Sequence, residues 1–275
     1  MKELVKDLKE NISSYSFKKV NELIGKIEVN KDNKDDLLEI SLLLNKDKRK
    51  NIISLGDKIQ RHIERFTKEY LRVKAMYEFD KSFGEFNFIA GVDEVGRGPL
   101  AGPIVSCAVI LNLDDLEDLI LEINDSKVIS EAKREYLSEI IKKKAISYSI
   151  ACSSNDEIDI KGIAYCNNKV FIDACNGLSV KPDLVLSDGY LIKNFNIQNK
   201  SVIKGDKHSA TIACASIVAK VYRDNLMKEY HKKYPQYQFD KNMGYGTKNH
   251  VEALKVNGMT SIHRKTFLNN ILQQL

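Results

Sequence analysis

Through residue 81 the chain sets apolar side chains three or four positions apart among Lys, Glu and Asp. Val5, Leu8 and Ile12 fit one face. Leu37, Leu38, Ile40, Leu42 and Leu43 form a second cluster, and Ile63, Phe66, Tyr70, Val73 and Met76 a third. That spacing is the repeat of an amphipathic helix. It predicts several helices, because the segment holds only two glycines, Gly25 and Gly56, and none of the four prolines that would break them. From Phe86 the pattern changes to short apolar runs alternating with helical periodicity. Residues 88–92, 104–111 and 145–152 read as strands rich in Val, Ile and Ala. Residues 184–188, after Pro182, read as another, and 201–204 as a further short one. Ser130 precedes a helix over 131–144 that ends on three lysines, suited to the negative end of its dipole. Residues 163–176 form another helix. A long one over 209–230 carries Ala210, Ala213, Ala215 and Ala219, small enough for close packing on a sheet. Strands first, then strands alternating with helices, predict an α/β class: a mixed sheet flanked by helices, with a helical N-terminal extension. The expected domains are 1–82 and 83–275, the second ending in a helical part, with the seam at 80–85 around Gly84.

Composition narrows the class. With 43% hydrophobic and 29% charged residues in 275, the chain is a soluble globular protein rather than a disordered or fibrous one. The longest uncharged run, 98–113, is too short to span a membrane and contains Pro99 and Pro103. The opening MKELVKDLKE has no secretory apolar core. Five cysteines, with no Cys-x-x-Cys pair, argue for a reducing cytoplasm and against a zinc ribbon. The net charge of +5 is unevenly spread. Residues 1–81 hold 19 Lys and Arg against 15 Asp and Glu, which leaves 24 against 23 in the rest. The helical segment therefore carries most of the excess. Two readings stay open for it: non-specific phosphate contacts, or a solvated helical surface in which acids intersperse the bases.

The candidate chemistry is concentrated in AGVDEVGRGPLAGP, residues 90–103. Asp93 and Glu94 stand at the end of an apolar run, where two carboxylates are costly to bury without a cation; alone, such a pair also fits a solvated turn. Gly96-Arg97-Gly98 sets two flexible residues around a cation, so the backbone can approach a phosphate or sugar, although a tight turn has the same composition. Asp188 closes the LVLSD run as a turn residue or a metal ligand. Asp206, in Lys204-Gly205-Asp206, is either a helix cap or a ligand. Four carboxylates at the ends of elements on one sheet edge make the oxygen-rich set that hard divalent cations prefer. Two such cations about 3.5–4 Å apart activate a water and stabilise the leaving oxygen of a phosphodiester. No Walker loop, His-Glu-x-x-His or Gly-x-Ser-x-Gly competes for this assignment.

GVDEVGRGPLAGP, the Asp125-Ser126-Lys127 turn, the LSDG strand end, the KGD turn, the helix ASIVAKVYRD and Gly244-Tyr245-Gly246-Thr247 resemble the ordered motif set of the bacterial ribonuclease HII family over residues 86–267. The resemblance implies a ribonuclease H-like fold. It implies endonucleolytic hydrolysis of RNA in RNA–DNA hybrids, including the 5′ side of a single ribonucleotide embedded in duplex DNA, with 5′-phosphate and 3′-hydroxyl products. Ribonucleotide removal from DNA and primer removal would be its roles. It implies Mn²⁺ or Mg²⁺ held by Asp93, Glu94, Asp188 and Asp206 as the catalytic acids. Gly96, Arg97 and Gly98 would read the ribose 2′-hydroxyl, the group that separates RNA from DNA, with Tyr245 stacking or hydrogen-bonding at the same nucleotide.

Ser216 and Lys220 lie one helical turn apart and share a face directed either at phosphate or at packing and solvent. Asp224 reads as an ion-pair partner near Arg223. His208 reads as a proton acceptor or an exposed turn histidine, and His263 and Arg264 match a C-terminal family feature without an assigned role. The implied partners are hybrids and ribonucleotide-containing duplexes, bound by a monomer with no membrane contact. The tail FLNNILQQL does not establish a clamp-binding peptide. Two alternatives are a ribonuclease HIII-type enzyme that cuts only at ribonucleotide runs and a non-catalytic hybrid-binding protein. The GRGPLAGP pattern and the Gly-poor helical extension argue against the first, and the intact acid set against the second.

Overall fold

The computed structural model describes residues 1–272. The chain divides into two compact units, Met1–Arg72 and Val73–Leu275. The composition seam at 80–85 falls at the end of a helix, whereas the division by packing falls inside that helix.

The first unit contains α1 (Lys2–Asn11), α2 (Phe17–Ile24), α3 (Lys34–Leu44) and the larger part of α4 (Lys50–Lys81). Ser16 caps α2 by accepting from the Lys19 N–H. The apolar faces foretold by the spacing meet in a core whose fully buried members include Leu8, Val20, Leu37, Ile40, Leu44 and Ile52. Leu42, one of the second cluster, is instead exposed. Arg49 crosses from the α3–α4 turn to donate to the Ile12 carbonyl at 2.9 Å. Its guanidinium also holds the Asp47 carboxyl down at about 2.

In the second unit a five-stranded sheet has the order β3-β2-β1-β4-β5. Its strands are β1 (Ile89–Val95), β2 (Ile104–Ile110), β3 (Ser147–Ser153), β4 (Leu184–Asp188) and β5 (Gln198–Val202). The first three form an antiparallel meander, and β4 and β5 run parallel to β1. This is the expected mixed sheet. The expected helices appear as α5 (Glu131–Lys144), α7 (Ile163–Asn176) and α9 (Ala210–Lys233); short α6 (Asn155–Lys161) and α8 (Gly205–His208) precede α7 and α9. Because strand side chains alternate between faces, Ala90 and Val92 join Val170, Phe171 and Ala174 of α7 in one core. Gly91, on the other face, lies against α9. A Cβ there would sit 2.2 Å from the Thr211 backbone carbon, so only glycine lets helix and strand approach this closely.

The α9 N-terminus has two caps. Ser209 accepts from the Ile212 N–H. The fully buried Asp80, at the end of α4, accepts from the Thr211 N–H at 2.9 Å and its hydroxyl at 3.0 Å. Burial raises the Asp80 carboxyl to about 7 despite these bonds. Beyond α9, α10 (Phe239–Asn242), α11 (Lys248–Asn257) and α12 (Lys265–Leu272) contribute Phe239, Leu254 and Leu268 to a separate core with Leu100, Ala101 and Met227. The last three residues of FLNNILQQL lie outside the described residues. No helix among the described residues is long and apolar enough to cross a membrane. The five thiols are free; Cys107 and Cys214 are core residues, as expected, and Cys152 is exposed.

Candidate active site

The acids are brought together by the pairing of β1 with β4. These strands run parallel with Val92 opposite Ser187, so their carboxyl ends, carrying Asp93 and Asp188, lie side by side. That end of a sheet is where ligands collect in α/β folds. β1 runs to Val95 instead of stopping at Val92, and Asp93 and Glu94 are paired with Cys107 and Ser106 of β2. The carboxylates are thus fixed by the ladder rather than hung on a turn. The Ser106 hydroxyl adds a bond to the Asp93 carbonyl at 2.8 Å. Nine of the ten residues singled out from the sequence line one cavity of about 400 Å³: Asp93, Glu94 and Asp188 with Gly96, Arg97, Gly98, Ser216, Lys220 and Tyr245. Asp206 is the exception. It lies buried in the first turn of α8 rather than on the cavity wall or at a cap position.

Electrostatics distinguish this cluster from a solvated turn. Asp93 is only 7% exposed, and burial, then the charges of Glu94 and Asp188, push its carboxyl well above the usual range. Hydrogen bonds from Ser216 and from the Glu94 N–H, the latter 2.7 Å from Oδ1, oppose that shift. Burial likewise raises Glu94, against the pull of Arg97 at 3.9 Å. Asp188 Oδ1 accepts from the Gly205 N–H at 2.6 Å, tying the end of β4 to the start of α8. Asp206 is raised by burial, then by Asp125 and Asp188.

Glu94 Oε2 is buried without a hydrogen-bond partner. An oxygen-only donor set, mutually raised acids and an orphaned buried carboxylate oxygen fit a hard divalent cation. Among the described residues no three such side chains close into a finished ligand sphere, consistent with like charges that repel one another.

Directly after β1 the cavity wall continues as the 96–98 turn. Gly96 has φ +94°, and a Cβ on it would lie 2.3 Å from Arg223 Nε, so this glycine is obligatory. Gly98 is different: a Cβ would meet only Tyr245, 3.8 Å away, so the space in front of it is open. Tyr245 is 42% exposed beside that space. The Arg97 guanidinium stacks over the Tyr190 ring at 4.5 Å.

Several side chains take other partners than the sequence suggested. Ser216 bonds Ser126 at 3.0 Å and Asp93, so it serves the acid rather than facing outward. Lys220, on the cavity wall, pairs with Asp224 at 2.6 Å. Asp224 also meets Arg134 at 3.5 Å, and these are its ion-pair partners instead of Arg223. Arg223 itself is fully buried. His208 is exposed at the end of α8 and is not on the cavity wall. Lys127 is a cavity residue to which the sequence reading gave no role, and it pulls both Glu94 and Asp206 toward ionisation. Its place in the Asp125-Ser126-Lys127 motif was the available signal.

A family model described as Ribonuclease HII matches residues 90–270. A curated relative named Ribonuclease HII, from Clostridium perfringens, is 66% identical over 272 residues, covering 99% of this chain and 100% of the relative. Among solved structures, ribonuclease H2 from Pyrococcus horikoshii OT3 superposes with a TM-score of 0.59 at 26% identity, covering 68% of this chain and 98% of that one. Bst-RNase HIII in complex with Mn²⁺ has a TM-score of 0.52 at 15% identity, covering 68% of this chain and 70% of that one, a likeness of fold alone.

Proposed function

The chain belongs to the ribonuclease HII family, a family of enzymes that hydrolyse RNA in RNA–DNA hybrids, and we propose that it also cuts 5′ of a single ribonucleotide embedded in duplex DNA. The products are a 5′-phosphate and a 3′-hydroxyl, and the roles are ribonucleotide removal from DNA and primer removal. The observation that carries this reading is the juxtaposition, in one cavity, of an acid cluster with an unpartnered buried oxygen, Glu94 Oε2, and an open turn beside Tyr245. The acids suit phosphodiester chemistry, and the turn suits recognition of a sugar.

In this reading Asp93, Glu94 and Asp188 on the cavity wall would hold Mn²⁺ or Mg²⁺, with Asp206, whose carboxyl feels the charge of Asp188, as the fourth acid. Such a cation pair supplies an activated water and neutralises charge on the leaving oxygen. The solved Bst-RNase HIII structure contains Mn²⁺, and the all-oxygen donor set suits either ion. The chain's own contribution is orientation. Ser106 and Ser216 hold Asp93, and Gly205 holds Asp188, so the carboxylates meet the reacting phosphate without rearranging. The open space before Gly98 admits a ribose, whose 2′-hydroxyl meets the backbone of the 96–98 turn while its base or sugar lies on Tyr245. Lys127 and Lys220, on the cavity wall, offset the charge of the entering backbone. The enzyme acts as a monomer in this reading. The free thiols suit the reducing cytoplasm.

Incubation of the full chain with Mg²⁺ or Mn²⁺ and duplexes carrying no, one or four successive ribonucleotides tests the reading. Cutting 5′ of the lone ribonucleotide is the expected result. Cutting only at the run would make the enzyme HIII-like, and binding without products would remove catalysis altogether.

A further inference from the structure

Two arginines of the second unit have no exposed surface, Arg223 and Arg264. Neither spends its charge on a carboxylate. Arg264 donates from Nε to the Gly102 carbonyl at 2.9 Å, from Nη1 to that of Arg97 at 2.9 Å and from Nη2 to that of Gly96 at 2.6 Å. Arg223 donates to Pro103 at 3.0 Å, Ala101 at 3.1 Å and Met243 at 2.8 Å. Five carbonyls of the 96–103 loop are therefore held by two rigid forks. A planar guanidinium spreads its donors over three nitrogens in a fixed fork, which the single ammonium of a lysine does not. The backbone adds its own ties, Arg264 N–H to the Leu100 carbonyl and Gly102 N–H to that of Ile262, each 2.8 Å.

The residue before Arg264 reaches the other half of the cavity wall. The Thr260 N–H lies 2.8 Å from His263 Nδ1, which must therefore accept. The His263 proton then sits on Nε2 and is donated to His250 Nε2 at 3.0 Å. That leaves the His250 proton on Nδ1, donated to the Tyr245 carbonyl at 2.9 Å. One arrangement of protons satisfies the whole chain, so both tautomers are fixed. The Tyr245 N–H is bound in turn to the Asn242 carbonyl at 2.8 Å. Tyr237 and Phe239 pack against both imidazoles, with ring centroids 5.1–6.1 Å apart.

We propose that Arg223, Arg264, His250 and His263 are positioning residues that lock the 96–98 turn and Tyr245 into one ribonucleotide-reading surface, with His263-Arg264 as the common anchor. This rests on the reading above that the surface receives a ribose. None of the four lines the cavity; Arg264 acts through the Gly96 and Arg97 carbonyls, His250 through that of Tyr245, His263 through His250, and Arg223 by packing directly against Gly96 while it holds the loop at 101 and 103. Misplacing a reading group by about 1 Å costs on the order of a hundredfold in rate. The network therefore matters most where a single 2′-hydroxyl must be recognised and least where a run of ribonucleotides offers several registers.

The test compares kcat and KM on a duplex with one ribonucleotide and on a long RNA–DNA hybrid, for the wild type and for Arg264→Lys, His250→Leu and His250→Asn. A core variant on α7, Val170→Ala, controls for stability. Thermal midpoints are measured alongside. Arg264→Lys and His250→Leu should lower the lone-ribonucleotide to hybrid ratio of kcat/KM by about tenfold. His250→Asn, whose amide N–H stands near the place of Nδ1, should restore most of that ratio, and Val170→Ala should leave it unchanged at a comparable loss of midpoint. Equal losses on both substrates, or a ratio that follows the midpoint through Val170→Ala, would overturn the positioning role. A wild type that does not cut the lone ribonucleotide fails earlier, at the functional reading, and takes this inference with it.

Discussion

The second unit buries two clusters of like charge, and they are treated in opposite ways. At the end of β1, Asp93 and Glu94 sit beside Asp188, and Glu94 Oε2 finds no hydrogen bond at all. Behind the neighbouring loop, Arg223 and Arg264 are buried more completely, yet every donor bond described for their guanidiniums ends on a carbonyl. A buried charge is tolerable when hydrogen bonds replace its hydration. The arginine cluster meets that condition from within the chain and so acts as scaffold. The acid cluster does not: Arg97 at 3.9 Å and Lys127 only partly offset the charge of Glu94, and its Oε2 is left open to a cation.

The largest effect that would sharpen this contrast is on turnover. Asp93→Asn should lower cleavage of an RNA–DNA hybrid by about a thousandfold while leaving the thermal midpoint unchanged or raised, because one of several repelling charges is gone. Retained turnover with a lowered midpoint would make the acids scaffold too. Arg223→Met should do the reverse to stability, costing about 4 kcal/mol in chemical denaturation, since it strands three buried carbonyls. A cost below about 1 kcal/mol would mean the loop carbonyls are satisfied without it.

A smaller effect comes from pH. Burial, then the neighbouring His250, lowers His263 from 6.5 to about 4. The unfolded chain therefore takes up a proton below pH 6.5 that the folded one refuses until about 4. His263 contributes its full stability above pH 6.5 and loses it as the pH falls toward 4, by up to about 3 kcal/mol. The raised acids Asp93 and Glu94 slope the other way, so the readout is the stability difference between wild type and His263→Asn across this window; a flat difference would refute it. The smallest expected effect concerns the exposed lysines of the first unit. Each phosphate contact adds about 0.9 to the log–log salt slope of hybrid binding. Lys18→Gln, Lys19→Gln and Lys26→Gln together should leave that slope unchanged, as a solvated helical surface requires, and a fall of one or more would place them on the substrate.

Which parts were legible in the sequence follows from the range of the interactions. Strands β1 to β4 and helices α5, α7 and α9 could be read because a buried face leaves a local period. β5 was displaced from 201–204 to Gln198–Val202 because it is a polar edge strand with little buried surface to pattern it. The acids were found, but the end of β1 was drawn three residues early, since charge normally ends a buried strand. Arg223 was hardest to read. On a helix that turns lysine-rich in its second half an arginine looks solvated, and nothing near it in sequence announces the carbonyls of residues 101, 103 and 243. Asp206 was found with the other acids, but it lies off the cavity wall, buried in the first turn of α8 after the left-handed Lys204.

The seat of Asp80 bears on where this enzyme can be cut. Composition invites a cleavage or truncation at residues 80–85, where glycine returns and the charge density falls. A fragment starting after Asp80 would discard the carboxylate that holds the Thr211 N–H and hydroxyl. It would also leave the first turn of α9 short of an acceptor, directly against Gly91 and two residues along β1 from Asp93. A minimal nuclease carved from this chain must therefore keep the final turns of α4, beginning near Val73, even if everything before them is discarded.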